Sequence, residues 1–350
     1  MRAVALRQAK ILCVDGASPS WTSGLASLTG KGKNERKGTE GSRRAGIIQR
    51  MIIAVAVNPR ASFGRGRRAG SEAAECFRAA GAEVLVLCED SYDALARAVD
   101  KALASGADAL VVVGGDGMVH LGVNALAGSG MPFGAVPLGI VPTGTGNDMA
   151  RALGIPAHNI PGACAAVLAA LASGGRLIDA GRASSGGTSR WFAGVMSAGF
   201  DAAVNERANA WRWPRGKARY HLAMLRELAS FRPINYTVTA DGERWQQGAM
   251  LMSVANGQSI GGGMKVTPDA VLDDGYLDLF IVSPLSRAGL LKVFPKVFSG
   301  GHLGHPAVHV RRVRTVELSA DKVVAYADGE RIGPLPLTIE VVPGAVRVLA

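Results

Sequence analysis

Four short stretches of this chain carry residues whose types and spacing suit phosphate chemistry. The first is Gly114-Gly115-Asp116-Gly117, which ends the apolar run Val111-Val112-Val113. Glycines without Cβ atoms let a bulky anion approach the main chain closely. A helical pattern follows at once, so its free N–H groups point at whatever the turn holds. An acid at that spot is repelled by phosphate unless a divalent cation lies between them. Strand, glycine turn, acid and helix together suggest Mg–nucleotide chemistry, although such a turn also occurs by chance and in unrelated phosphotransferases.

The second stretch is Pro142-Thr143-Gly144-Thr145-Gly146-Asn147-Asp148. Two glycines, two hydroxyls and an Asn-Asp helix start suit a second wall of an anion pocket. Asp148 also fits a plainer role, complementing a helix dipole for ~0.3–1 kcal/mol. The third pairs Asn58-Pro59 with Gly64-Arg65-Gly66-Arg67-Arg68, which reads equally as a phosphate-binding helix start or a solvated basic loop. The fourth, Ala327-Asp328-Gly329-Glu330, places two acids where Asp-Gly alone would read as an ordinary hairpin turn.

The elements that must position these residues alternate from Met51 onward. Expected are strand 52–57, a helix near 67–80, strand 83–88, a helix near 92–104, strand 109–113 and a helix to about Leu126. Strand 134–138, a short helix from Asn147, helix 161–173 and a strand ending at Asp179 complete the series. Strands separated by single helices mean βαβ units and a parallel sheet, in which ligands bind beyond the carboxyl ends of the strands. Asn58, Gly114–Gly117 and Gly144–Asp148 all lie there. After Gly181 the pattern changes. A Gly/Ser-rich joint, Arg182–Ser189, leads into short strands at 191–197, 234–240, 248–255, 276–282, 313–318, 322–327, 337–342 and 345–349, with helical insertions near 217–230 and 286–298. That half reads as a mainly β, sandwich-like domain. The expected organisation is an extension over 1–50 (native, or an artefact of start-site choice), an α/β nucleotide-binding domain over 51–180 with a parallel sheet, and a β-sandwich domain over 181–350.

Composition sets the outer limits. The chain has 350 residues, 48% apolar and 19% charged, which is a folded globular profile rather than a disordered or fibrous one. Its net charge of +11 invites nucleic acid as a partner, but ten of the Lys/Arg lie in residues 1–50 against three acids there. A basic total concentrated in one tail says little about the folded body, so no nucleic-acid partner is expected. No apolar run approaches the ~20 residues that span a bilayer, and the N-terminus lacks the pattern of a signal peptide. The four cysteines show no paired spacing, which argues against a zinc site or disulfide framework.

Taken in order and spacing, these motifs resemble the diacylglycerol kinase catalytic family, which also contains sphingosine and other lipid kinases. The resemblance includes the Asn58-Pro59 opening, Gly114–Gly117, Pro142–Asp148 running into Met149-Ala150-Arg151, Gly199-Phe200-Asp201-Ala202, Asp274-Gly275-Tyr276-Leu277 and Asp328-Gly329-Glu330. It covers almost all of 51–350 and looks closest to the soluble bacterial members from actinobacteria. The resemblance implies ATP as phosphate donor, bound by Asn58, Gly114, Gly115, Asp116, Gly117, Gly144, Thr145, Gly146 and Asn147. It gives Asp116 the handling of Mg–ATP and the deprotonation or orientation of an acceptor hydroxyl, with Asp148 and Glu330 completing the catalytic acids. Asp201 is implied at the acceptor headgroup, although an N-cap role suits it as well. A structural Mg²⁺ in the β domain is implied at Asp274 and the Tyr276 carbonyl.

Three departures from the family pattern stand out. The glycine of the Asn-Pro opening is displaced, Met118 follows the glycine turn where a Thr is common, and Leu121 replaces a common Glu. The neighbouring His120 reads either as a polar group near the phosphates or as a solvent-facing helix histidine. The segment from Trp211 to Tyr220 mixes aromatics with cations, as a membrane interface, nucleic-acid contacts or core-anchoring tryptophans would.

The expected function is an ATP-dependent transfer of the γ-phosphate to a lipid hydroxyl, that of diacylglycerol foremost. The enzyme is expected in the cytoplasm, peripherally associated with the inner face of the plasma membrane through its anionic surface, and its sheet edges offer surfaces for a homodimer. The competing readings are an NAD kinase or other soluble-acceptor kinase and, from a different class, a non-catalytic nucleotide- or nucleic-acid-binding regulator. The retained acids argue against the last.

Overall fold

A computed structural model describes residues 48, 51–59, 66–199, 204, 207, 211, 222–223, 226–227 and 232–350. In the first half the chain alternates β1 (Ile52–Val57), α1 (Gly66–Ala79), β2 (Glu83–Cys88), α2 (Tyr92–Ala104), β3 (Ala109–Gly114), α3 (Asp116–Ala127), β4 (Leu138–Pro142), α4 (Asp148–Ala152) and α5 (Ile160–Ser173). The four strands run parallel in the order β2-β1-β3-β4. Every residue of β3 is buried, as a β-branched run covered by helices on both faces should be. Helix starts follow local chemistry: the Ser91 hydroxyl accepts the Ala94 N–H at α2, and the Asn159 side chain accepts the Gly162 N–H at α5.

The fourth strand corrects the sequence expectation of 134–138. Residues 132–135 form a turn closed by the Ala135 N–H on the Pro132 carbonyl (3.0 Å). Pro137 has no N–H for a central ladder, so pairing starts one residue later, at Leu138.

The second half contains β5 (Arg176–Ser185), β6 (Thr188–Phe192), β7 (Val195–Gly199), β8 (Ile234–Ala240), β9 (Glu243–Ala249), β10 (Leu251–Ala255) and β11 (Leu277–Val282). There follow α6 (Arg287–Val293), two 3₁₀ segments (Phe294–Phe298 and Gly301–Gly304), β12 (Val308–Val313), β13 (Thr315–Ser319), β14 (Val324–Ala327), β15 (Glu330–Pro334) and β16 (Leu337–Leu349). One antiparallel sheet has the order β12-β11-β10-β7-β14-β15. The other continues the first-half sheet through β16-β13-β8-β9, with β5 and β6 branching from β16. Met196, Met252 and Leu279 from one sheet meet Tyr236, Val238, Leu318 and Ile339 from the other in a shared apolar core. This is an α/β domain with a mostly parallel sheet, followed by an antiparallel, sandwich-like β domain.

The last strand ties the halves together. β16 pairs in parallel with β4 (Val348 opposite Leu138) and antiparallel with β5 along most of its length. The two strands expected at 337–342 and 345–349 are therefore one, with a register shift between Val342 and Val346. The supposed joint Arg182–Ser189 is the β5–β6 hairpin, with Gly186 and Gly187 at φ 55° and 80° in its two-residue turn. The expected strand 191–197 breaks at Ala193–Gly194, and 248–255 breaks at Met250. Three strands were not anticipated: β9, β12 and β15 carry polar or charged side chains and lack a clean apolar alternation. Of the insertion near 217–230, only four helical residues are described, with Ala223 fully buried.

Candidate active site

The site begins where β3 and β4 end side by side. Thr143 and Gly144 both donate their N–H groups to the Gly114 carbonyl (2.8 and 3.1 Å), which locks the two glycine turns together. The approach is backbone against backbone: a Cβ on Gly144 would lie 2.3 Å from the Gly115 Cα, so only glycine fits. Asn147 adopts the left-handed region (φ 55°) and its Nδ2 donates to the Gly144 carbonyl (2.8 Å). Its buried Oδ1 accepts no hydrogen bond among the described residues, which leaves an acceptor in this wall for a ligand donor. Thr145 is exposed at the tip of the loop.

Asp116 opens α3 between these walls. Its Oδ1 accepts the N–H groups of Asp148 (2.7 Å) and Met149 (3.3 Å) from the start of α4. Its Oδ2 lies so close to Gly146 that a Cβ there would stand 2.5 Å away. Burial pushes this carboxyl up to about 6, with the Asp148 charge adding to the shift and the two amides only partly opposing it. Glu330, the first residue of β15, rests an oxygen over Gly117, where a Cβ would lie 2.8 Å from Oε1.

Asp148 has a different task. Its Oδ1 accepts from Arg151 Nη1 (2.7 Å) and the Ser259 hydroxyl (2.9 Å), and its Oδ2 from the Gly262 N–H (2.7 Å). Through these bonds Asp148 works as a suture holding the β-domain loop 259–262 against the start of α4. Arg151 closes the same corner by donating to the Gly146 carbonyl (2.9 Å).

Asp328 does comparable work from the other side, a role the sequence reading left unassigned. Asp328 and Gly329 form the two-residue β14–β15 turn at φ 53° and 88°, so the hairpin reading of this motif holds. The Asp328 carboxylate meanwhile accepts N–H groups from Ala193 (3.2 Å), Gly194 (3.1 Å) and Val195 (3.1 Å). His120 reaches toward it from α3, Nδ1 to Oδ2 at 3.7 Å. That ring is buried, so the solvent-facing alternative for His120 is wrong: its helix face is covered by the Asp328 hairpin. The break in the 191–197 strand was the available signal, because a strand interrupted by Gly needs a partner for its freed amides.

The remaining sequence candidates divide. Asn58 stands at the end of β1, with its Cβ about 4 Å (3.9 Å) from where a Gly114 Cβ would be. Arg67 pairs with Asp90 at the surface (3.4 Å), while the loop 60–65 that precedes α1 lies outside the described residues. Asp201 and most of the 211–220 segment also lie outside them. Trp211 is described and packs partly buried against an apolar cluster that includes Val195 and Phe280. At the other expected metal position, Asp274 accepts the Tyr276 N–H on Oδ1 (3.0 Å) and the Arg312 guanidinium on Oδ2. Arg312 also lies over the Tyr276 ring, 4.3 Å from its centroid. Asp274 thus has a cationic partner in Arg312.

Behind the Asp148 suture lies an apolar cavity of ≈ 80 Å³, bounded by Ile260, Met264, Phe280, Leu290, Phe294 and Val297 among others. Its one polar lining side chain among the described residues is His302, whose Nε2 meets the Val266 carbonyl (3.1 Å) and whose ring packs edge-on against Phe280. Ile260 and Met264 exchange backbone hydrogen bonds (3.0 Å each), bracketing Gly261–Gly263. The loop that Asp148 holds is therefore the loop that lines the cavity.

A glycine-walled cleft with a carboxylate of raised pKa is backed by a sandwich-like β domain. The model of the diacylglycerol kinase catalytic domain matches residues 53–180, and that of the YegS C-terminal NAD kinase beta sandwich-like domain matches residues 194–350. The chain belongs to the diacylglycerol kinase family. It is 37% identical over 300 residues to a diacylglycerol kinase of Mycobacterium tuberculosis (strain ATCC 25618 / H37Rv), covering 85% of this chain and 94% of that one. It is 32% identical over 291 residues to a Pseudomonas aeruginosa protein named "Probable lipid kinase YegS-like", covering 81% and 91%. Among solved structures, a diacylglycerol kinase from Bacillus anthracis str. Sterne superposes with a TM-score of 0.63 at 20% identity, over 86% of this chain and 96% of that one, a likeness of fold.

Proposed function

We propose that this kinase transfers the γ-phosphate of ATP to the hydroxyl of a membrane lipid, diacylglycerol foremost, yielding phosphatidic acid. One observation carries the lipid part of the reading. The Asp148 carboxylate that abuts the phosphate site holds Ser259 and Gly262, and the same loop supplies Ile260 and Met264 to an apolar cavity. A soluble acceptor such as NAD has no use for such a lining, whereas an acyl chain does.

The phosphate chemistry rests on Asp116, Glu330 and the two glycine turns. Phosphoryl transfer needs positioning and charge neutralisation more than covalent chemistry. Asp116 keeps Oδ2 clear of its two amide bonds, so both tasks implied for it converge on that atom: contact with Mg–ATP, and orientation or deprotonation of the acceptor hydroxyl. A carboxylate shifted to about 6 lies nearer the working pH of a general base than an ordinary one. Mutually repelling acids around an unpaired carboxylate fit a divalent cation, and Asp116 would hold it. No cluster of three ligating side chains exists among the described residues, as expected where substrate phosphates and water supply most of the shell of a Mg²⁺. When bound, the metal offsets charge on the phosphates. No helix among the described residues is long and apolar enough to cross a membrane, and we place the enzyme in the cytoplasm, meeting its lipid at the membrane surface.

The test incubates the full chain with labelled ATP, Mg²⁺ and mixed micelles carrying diacylglycerol, sphingosine or phosphatidylglycerol, with NAD in a parallel reaction. Label in diacylglycerol supports the reading. Label in another lipid alone moves the acceptor, and label in NAD alone overturns the lipid assignment.

A further inference from the structure

We propose that α6 and the 3₁₀ segment after it form the surface by which this protein docks on an anionic bilayer, with the mouth of the apolar cavity turned toward the lipid. The biological purpose of this surface rests on the lipid-kinase reading; the binding itself does not.

The first observation is continuity of apolar surface. Leu290, Val293, Phe294 and Val297 face inward and line the cavity. On the same short segment Leu291 and Phe298 face outward, 53% and 44% exposed. Phe298 packs edge-on against Phe294, ring centroids 6.0 Å apart, so cavity lining and exposed surface are one apolar body. Large aliphatic and aromatic side chains at a cavity rim cost solvation unless something covers them.

Charge selects what covers them. Between Leu279 and Val316 the sequence contains no Asp or Glu but has Arg287, Lys292, Lys296, Arg311, Arg312 and Arg314. Arg311 and Arg312 are paired with Glu243 and Asp274. Arg287, Lys292 and Lys296 are exposed and make no ion pair among the described residues. Exposed apolar side chains between unpaired cations match a leaflet in which the former enter the acyl boundary and the latter meet anionic headgroups.

The segment is also wired to the site. The Lys265 N–H donates to the Val297 carbonyl (3.0 Å), joining the 3₁₀ segment to the residues that follow Gly261–Gly263. A bilayer seated on Leu291 and Phe298 would present lipid at a cavity whose wall leads back to Asp148.

Co-sedimentation of the full chain with vesicles, without nucleotide, tests this. Wild type is expected to bind phosphatidylglycerol–phosphatidylcholine vesicles and to bind pure phosphatidylcholine much more weakly. Leu291→Ser/Phe298→Ser and, separately, Lys292→Glu/Lys296→Glu should each weaken binding by about tenfold or more. Both should keep wild-type phosphate transfer to a short-chain, monomerically dispersed diacylglycerol. Because the second pair is purely surface charge, a folding defect in the first cannot mask the answer. Wild-type binding in both variants would overturn the proposal, as would an equal loss in Arg311→Glu/Arg314→Glu. Loss of a self-associated species in Leu291→Ser/Phe298→Ser with vesicle binding unchanged would reassign the surface to a protein contact. Vesicle binding that follows these predictions while no lipid is phosphorylated would leave the docking surface standing and remove the kinase reading.

Discussion

Two Asp-Gly turns in this molecule share a dipeptide and differ in everything that surrounds it. Asp274 is closed off: one oxygen takes the Tyr276 amide, the other the Arg312 guanidinium, and an aromatic ring lies beneath. Asp116 faces other acids. It accepts two amides on one oxygen, has Asp148 and Asp328 as like-charged neighbours, and is pushed up to about 6. The difference is between an acid with a cationic partner and one without an ion pair among the described residues. The amides at the start of α4 repay Asp116 only in part, and the remaining electrostatic cost is one that a bound cation would offset.

The sharpest way to break that contrast is to make the same isosteric change at both turns. Asp116→Asn keeps the acceptor for the Asp148 and Met149 amides and removes the charge. Turnover measured with labelled ATP should fall by roughly 10²–10⁴-fold, the range for loss of a general base. Asp274→Asn should leave turnover within a few-fold of wild type. Equal losses at both positions would mean that the surroundings do not distinguish them. Gly146→Ala comes next in size. Its Cβ would stand 2.5 Å from Asp116 Oδ2, so the carboxylate must move. A displacement near 1 Å costs about 10²-fold in rate. A kcat unchanged in this variant would show that Asp116 works from another position.

The contrast was only partly legible in the sequence. Val111–Val113 running into glycines is a pattern with one physical reading, so the Asp116 turn and its parallel sheet could be anticipated. The strand at Leu138 was misplaced because Pro137 and the preceding turn are punctuation that an apolar window reads through. Asp148 could be placed beside Asp116, but its bond to Gly262 spans 114 positions and leaves no local pattern. The same holds for Arg312 on Asp274, 38 residues apart across a strand pair, where a polar run gave no sign of a strand. Asp328 was visible as a hairpin residue; that its carboxylate collects three amides from a break about 130 residues earlier was not. Local geometry could be read from sequence, whereas the partners of buried charges are a product of topology.

Stability gives a smaller effect with opposite signs at the two turns, and at Asp116 it depends on pH. For Asp116 the folded value of about 6 lies above the ordinary aspartate value of 3.8. The folded state therefore binds the proton more tightly, and this group destabilises the metal-free protein increasingly as pH rises from about 4 to above 6. Asp116→Asn should accordingly be more stable than wild type at pH 7.5, by on the order of 1–3 kcal/mol, with the gain shrinking toward pH 4. Denaturant midpoints at the two pH values read this directly. A variant destabilised at pH 7.5 would mean that the Asp116 charge is compensated in the free protein. Asp274→Asn should go the other way and lose roughly 1 kcal/mol at neutral pH with its arginine pair.

The smallest effect concerns which cation the Asp274 turn accepts. Beside it, Asp278 is pushed up to about 6 by burial and by the Asp274 charge, with Arg312 pulling it back. Arg312 is thus the positive charge that this group of acids relies on. If that is so, the thermal midpoint of the wild-type chain should shift little, through this turn, when Mg²⁺ is replaced by EDTA. Arg312→Met removes the guanidinium while keeping an apolar stem over Tyr276, and should cost about 1 kcal/mol. The vacated charge then favours a divalent ion, so the variant should acquire a Mg²⁺-dependent midpoint, and Arg312→Met/Asp274→Asn should lose that dependence. Using the Asp116→Asn background in every arm removes the catalytic metal from the readout. A wild-type midpoint that falls with EDTA in that background, and falls no further in Arg312→Met, would place a metal at Asp274 alongside the arginine and erase the distinction between the two turns.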